Sequence, residues 1–145
     1  MKYFSIKELC KSKTATDLGI DNTPLKNHEA NMKLLIENLL DPIREMWGNK
    51  IYVNSGYRSE ALNNAVGGVE NSHHLRGFAA DISVRSISGN KELFEMIKNS
   101  DLKWTQLISE KTTNKGCKWI HISYCENNLK NQVLYFEDNL CRTNE

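Results

Sequence analysis

The chain has 145 residues with 19 Lys and Arg against 18 Asp and Glu, a net charge of +1. That is the size of one domain with a core of its own, and it excludes the strongly basic balance of a nucleic-acid or anionic-membrane binder. The opening Met1-Lys2-Tyr3-Phe4-Ser5-Ile6-Lys7-Glu8 breaks every apolar pair with a charge, so neither a signal peptide nor a membrane span is expected and the chain reads as made in the cytoplasm. Cys10, Cys117, Cys125 and Cys141 lack C-x-x-C spacing and read as reduced thiols, which argues against a cysteine-based zinc site. A disulfide between Cys117 and Cys125, which flank a predicted strand, is left open.

In chain order, Phe4, Ile6 and Leu9 start a short amphipathic helix, with Ser5 and Glu8 in the S-x-x-E capping pattern. Residues 12 to 25 are rich in Ser, Thr, Asp and Asn and read as an ordered loop. From His28 to Trp47, apolar residues at three- and four-residue spacings predict one long helix that Pro42 kinks or interrupts and Gly48 stops. Ile51 to Val53 reads as a short strand, and Ser59 caps a helix through Asn64. Residues 67 to 77 read as a polar loop, Phe78 to Val84 as a strand, and the stretch between Gly89 and Ser100 as a helix. Trp104 to Ser109 and Lys118 to Tyr124 then form strands around a polar hairpin loop at 111 to 117. Gln132 to Phe136 adds an edge strand, and the tail after Asp138 is expected to be loosely held. Helices first and strands later predict an α+β fold, a mostly antiparallel sheet with helices packed on one face, in a single domain over residues 1–145.

Strand parity concentrates the chemistry. If Phe78, Ala80, Ile82 and Val84 face the helices, Ala79, Asp81 and Ser83 face the other way. Likewise Ile120 and Ile122 point inward and Trp119, His121 and Ser123 outward. His74, Asp81 and His121 thus form a candidate two-histidine, one-aspartate zinc site with a fourth position open, the arrangement of a catalytic metal. A lone strand histidine is more often a hydrogen-bonded residue than a ligand, and Asp81 alone reads as a solvated strand-end carboxylate. His73 points opposite to His74 in an extended chain, and His28 sits at a helix start without a partner, so neither is expected to be a ligand.

These residues resemble a family. Ser55-Gly56-Tyr57-Arg58-Ser59, Asn63, Val66-Gly67-Gly68, Ser72-x-His74-x-x-Gly77-x-Ala79-x-Asp81-Ile82 and Trp119-Ile120-His121-Ile122-Ser123 look like the zinc D-Ala-D-Ala carboxypeptidases and the related L-Ala-D-Glu endopeptidases, which share the hedgehog/DD-peptidase fold. The segments Phe4 to Leu9 and Gly19 to Pro24 resemble the short phage and prophage members, and the likeness extends to about Tyr124. It implies Zn2+ held by His74, Asp81 and His121, and Arg58 as the stabiliser of the substrate oxyanion. Ser72 is implied either to bind substrate or to fix the His74 loop, and Tyr57 to line the cleft. Some relatives carry an acid three positions before the last histidine, where this chain has Lys118. Glu110 is the substitute general base, placed by parity with Gln106 and Ile108, and its competing reading is a solvated hairpin-end glutamate. The implied activity is hydrolysis of peptidoglycan stem peptides by a monomer, with no nucleic-acid or membrane partner. The wall would be reached by phage-type release or as part of a virion. The alternative is a non-catalytic zinc module that binds wall peptide or a protein partner.

Overall fold

The computed structural model describes residues 1–112, 116–137 and 140–142. Helices α1 (Ile6–Leu9), α2 (Lys13–Leu18), α3 (Lys26–Leu35) and α4 (Asp41–Trp47) precede strand β1 (Tyr52–Ser55) and helix α5 (Glu60–Ala65). A 3-10 turn (His73–Arg76) leads into β2 (Ala79–Ser83), followed by α6 (Ile87–Lys98), β3 (Gln106–Thr112), β4 (Gly116–Ser123), β5 (Gln132–Glu137) and β6 (Leu140–Arg142). The strands form a sheet in the order β1-β2-β4-β3-β5-β6, antiparallel except where β5 runs parallel to β3. This is the expected α+β class with a mostly antiparallel sheet.

One apolar cluster binds the helices to the sheet. Met32, Leu35, Ile36, Leu39 and Ile43 from the long helical run meet Ala80, Ile82, Leu107, Ile120 and Ile122 from the strands, with Leu93, Phe94 and Ile97 of α6 alongside. The three- and four-residue spacing of the helical set is the stripe such a layer requires. The inward parity of Ala80, Ile82, Ile120 and Ile122 holds as expected. Phe78 departs from it, standing outside the cluster with its ring edge-on to His73 at 6.2 Å.

Several boundaries differ from the sequence reading. Residues 13–18 are helical rather than loop: Ser12 Oγ accepts the Ala15 amide at 3.1 Å, Lys13 pairs with Asp17 at 2.7 Å, and Gly19 closes the helix at φ 66°. The long helix is continuous from Lys26 to Trp47, but Ile36–Leu40 form a π turn. Pro42 has no N–H and its ring crowds the carbonyl four residues back, so widening the preceding turn keeps the helix unbroken. Helix α6 starts at Ile87, where Ser86 Oγ accepts the Gly89 amide at 3.1 Å. The hairpin strands run longer than expected, to Thr112 and from Gly116, and the centre of that predicted loop, 113–115, lies outside the described residues. β5 is an interior strand, covered by β6, whose Leu140–Arg142 pair with Tyr135–Glu137; that part of the tail is fixed, and 138–139 and 143–145 lie outside the described residues. Cys117 and Cys125 are not joined. Among the described residues no helix is long and apolar enough to cross a membrane.

Two bulges bracket the centre of the sheet. On β1 the register passes from Val53↔Ile82 to Ser55↔Asp81, leaving Asn54 extra. On β4 it passes from Trp119↔Glu110 to Cys117↔Lys111, leaving Lys118 extra. The second bulge is pinned from below by Asn90 of α6, whose side chain is 1% exposed. Its Nδ2 donates to Cys117 O at 3.2 Å and Lys118 O at 2.9 Å, and its Oδ1 accepts the Val84 amide at 2.7 Å. Asn90→Ala strands these groups and is expected to cost about 2–4 kcal/mol in urea unfolding at unchanged m-value.

Candidate metal centre

The 3-10 turn delivers His74 to the sheet. Ser72 Oγ accepts the His74 amide at 3.2 Å, and Gly77, at φ 77°, reverses the chain into β2. A Cβ at Gly77 would lie 2.6 Å from His28 O, so both the conformation and the space call for glycine. Asp81 and His121 stand directly opposite each other in the β2–β4 ladder. The result is convergence on one oxygen: Asp81 Oδ1 lies 3.3 Å from His74 Nε2 and 3.0 Å from His121 Nδ1. The two imidazoles meet edge to face with centroids 5.2 Å apart.

His74 Nδ1 lies 2.7 Å from Gly56 O. A carbonyl only accepts, so Nδ1 carries the proton and Nε2 of the neutral ring presents a lone pair. That lone pair faces a carboxylate oxygen at 3.3 Å, an arrangement that requires a cation, either a proton or a metal ion. Donors about 2.0–2.1 Å from a tetrahedral zinc stand about 3.3 Å apart, close to the separations found here. Two nitrogens and one carboxylate oxygen also suit zinc chemically. The residues therefore fit zinc, with Gly56 O as the partner that orients the first histidine.

Asp81 is strongly acidic. Burial alone would raise its pKa, but with a proton on His74 Nε2 in place of a metal ion the charge of His74 and hydrogen bonds from His121 and His74 outweigh that and hold it well below the usual carboxylate range. Arg58 Nη2 stands 3.7 Å from the other oxygen, Oδ2. The guanidinium is fixed on its remaining sides: Nε donates to Ser55 Oγ and Nη1 to Asn63 Oδ1, both at 3.0 Å, while the Arg58 amide donates to His74 O at 3.0 Å. Asn63, 2% exposed, donates in turn to Val69 O at 2.9 Å. Gly68 leaves room for this clamp, since a Cβ there would sit 2.0 Å from Asn63 Oδ1 and 2.8 Å from Arg58 Nη1.

The other expected residues are placed as follows. Glu110 lies outside the converging trio but within its field: its pKa is raised, first by burial and then by the charge of Asp81, against a lowering by His121. It is opposite Trp119, two residue pairs beyond the Ile108↔His121 pair and so on the same sheet face. Lys118 is exposed at its bulge. Ser72 caps the His74 turn, the second of its two expected roles in geometry. Tyr57 does not stand open at a cleft wall; it is 5% exposed, part of the core, with its ring 5.0 Å from that of His28. His28 Nδ1 accepts the Leu25 amide at 3.2 Å. Gly56, Asn63 and Gly68 received no role from sequence reasoning. They act through a carbonyl, a buried amide and an absent side chain, which composition and parity do not register.

An open set of two histidines and one aspartate beside a fixed arginine, on the far side of an α+β sheet from its helices, defines a metal-dependent hydrolase site. The Peptidase M15 family model matches residues 2–123. The chain belongs to the peptidase M15 family, whose members are zinc-dependent. No curated protein matches the chain.

Purified protein is expected to take up one equivalent of zinc by elemental analysis, and His74→Ala or Asp81→Ala to lower its affinity at least ~100-fold in chelator competition. Gly68→Ala is expected to keep the zinc, because it strikes only Asn63 and Arg58, and to lower kcat/KM by at least about tenfold.

Proposed function

We propose that this peptidase acts on the stem peptides of peptidoglycan, as a D-Ala-D-Ala carboxypeptidase-like enzyme or an endopeptidase. The observation that carries the metallopeptidase reading is the meeting of His74, Asp81 and His121 at one point, with Arg58 fixed beside it. The wall substrate is supported by the motif resemblance running from Ser55 to Ser123.

His74, Asp81 and His121 would hold zinc, which when bound polarises a carbonyl oxygen and lowers the pKa of water from ~15.7 towards ~7. Arg58 donates to the scissile carbonyl oxygen as negative charge develops on it. The Ser55 and Asn63 hydrogen bonds prevent its guanidinium from having to reorganise at that moment. Glu110 takes the proton from the attacking water and returns it to the leaving amine as the tetrahedral carbon collapses. Its pKa, raised by burial and by the charge of Asp81, makes it a stronger base than an ordinary glutamate. Exposed Lys118 is not needed for this step. Release during phage lysis or carriage in a virion would bring the enzyme to the wall.

The test is mass spectrometry of muropeptides incubated with the zinc-loaded protein. Loss of one terminal alanine marks carboxypeptidase action and an internal cut marks endopeptidase action. No cleavage by protein holding one zinc would sink the reading in favour of a binding module. Glu110→Gln is expected to lower kcat by about 10²–10⁴, and undiminished cleavage removes Glu110 as the base. Because the base works deprotonated, kcat/KM should fall on the acid side at a pH above the ordinary glutamate value of about 4.3, and Glu110→Gln should abolish that limb.

A further inference from the structure

The net charge of +1 hides a local imbalance. Two hollows of about 370 and 590 Å3 lie end to end along β1 and share Lys11, Val53 and Asn54. One wall is β1 from Tyr52 to Ser55; the other is α1 and the start of α2. Among the described residues six cations line this trough, Lys7, Lys11, Lys13, Lys50, Arg58 and Arg85, against a single carboxylate, Glu8. Lys13 is paired with Asp17 outside it. In a chain with almost equal numbers of acids and bases, six to one along one trough is a segregation of charge that attracts an anion.

One end reaches the arginine beside the metal centre. Arg58 and Ser55 line the trough there, and the same Arg58 stands 3.7 Å from Asp81. Toward that end the lining includes Val53, Leu62 and Val66, which suit the carbon skeleton of a peptide. The far end is built around Tyr52. Arg85 lies over its ring at 3.6 Å and Lys50 at 5.3 Å. Arg85 holds this place from a left-handed backbone, φ 61°, a conformation unfavourable for a non-glycine residue, with its amide donating to Ser83 Oγ at 2.9 Å. β1 is also the outermost strand of the sheet, so its second edge carries amides and carbonyls that the β1–β2 ladder does not use. Four strand residues span about 13 Å, the length of an extended tetrapeptide.

We infer that the trough between α1–α2 and β1 is a substrate subsite that holds an extended peptide bearing carboxylates, running from the scissile bond at Arg58 to the Lys50–Arg85 pair at Tyr52. The inference rests on the peptidase reading for the direction in which the peptide enters. A phosphate polymer would satisfy the charges but would use neither the strand edge nor the apolar lining.

The experiment is fluorescence anisotropy with zinc-loaded protein and two labelled hexapeptides, one alternating Ala and Glu and the other alternating Ala and Gln. Binding needs no turnover, so its result is independent of whether any peptide bond is cut. The glutamate peptide is expected to bind at least about tenfold more tightly than the glutamine one, and to lose most of that advantage in Lys50→Gln/Arg85→Gln. A second variant, Lys7→Gln/Lys11→Gln, on the opposite wall, guards against misfolding of the first and should show the same loss. Equal binding of the two peptides, or an undiminished preference in both variants, overturns the inference. Displacement of the peptide by inorganic polyphosphate with equal potency per charge also overturns it, because the trough would then be a general polyanion surface.

Discussion

A carboxylate buried in the middle of a sheet is the constraint on which the rest depends. Asp81 is 9% exposed, and an ionised acid there survives only because positive or polarised groups meet both of its oxygens. Two imidazoles approach one oxygen and a guanidinium the other. Each of those partners is in turn held: His74 by the Gly56 carbonyl, His121 by the β2–β4 ladder, Arg58 by Ser55 and Asn63. The bulges at Asn54 and Lys118 fall on the strands flanking this row. Ala80, Ile82, Ile120 and Ile122, on the other face of the same two strands, pack into the apolar layer, while the β2–β4 register sets Asp81 opposite His121.

Much of this was legible in the residues. The stripe from Met32 to Ile43 announced the long helix because its apolar positions repeat at helical spacing, and alternation in 79–83 and 119–123 put Asp81 and His121 on one face because side chains alternate along a regularly paired strand. Helix α2 was not legible, since only Ala15 of its six residues is buried and no periodic stripe exists to detect. The π turn had no signal beyond Pro42. The parallel seat of β5 beside β3 depends on pairing between segments distant in sequence, on which local pattern is silent. Within the site, ligand types and spacing were readable. Supporting groups that act through backbone or through missing atoms, Gly56 and Gly68, were not, and Tyr57 misled because a loop has no parity to say which way its ring turns.

The two sides of the sheet divide the work. The helix side supplies cohesion, and Asn90, a polar residue buried there, serves to hold a bulge. The opposite side carries almost all the chemistry, and the edge strand β1 connects the two through Ser55 and Gly56, which border the arginine clamp and the His74 carbonyl contact. A change in how β1 meets α1, where Tyr57 N donates to Leu9 O at 2.9 Å, therefore reaches the ligand geometry through two intervening hydrogen bonds.

The pairing of Asp81 with His121 spans 40 residues of sequence. An unfolded chain offers at most the nearby pair His74 and Asp81, and the third donor arrives only when β4 has docked beside β2, a late kind of event because closing so long a loop costs entropy before any contact repays it. Metal uptake is consequently a property of the finished sheet and not a seed for it. Zinc that binds only the folded form would act as a lock, slowing unfolding and raising stability with its free concentration, while leaving the rate at which the chain first finds its fold almost untouched.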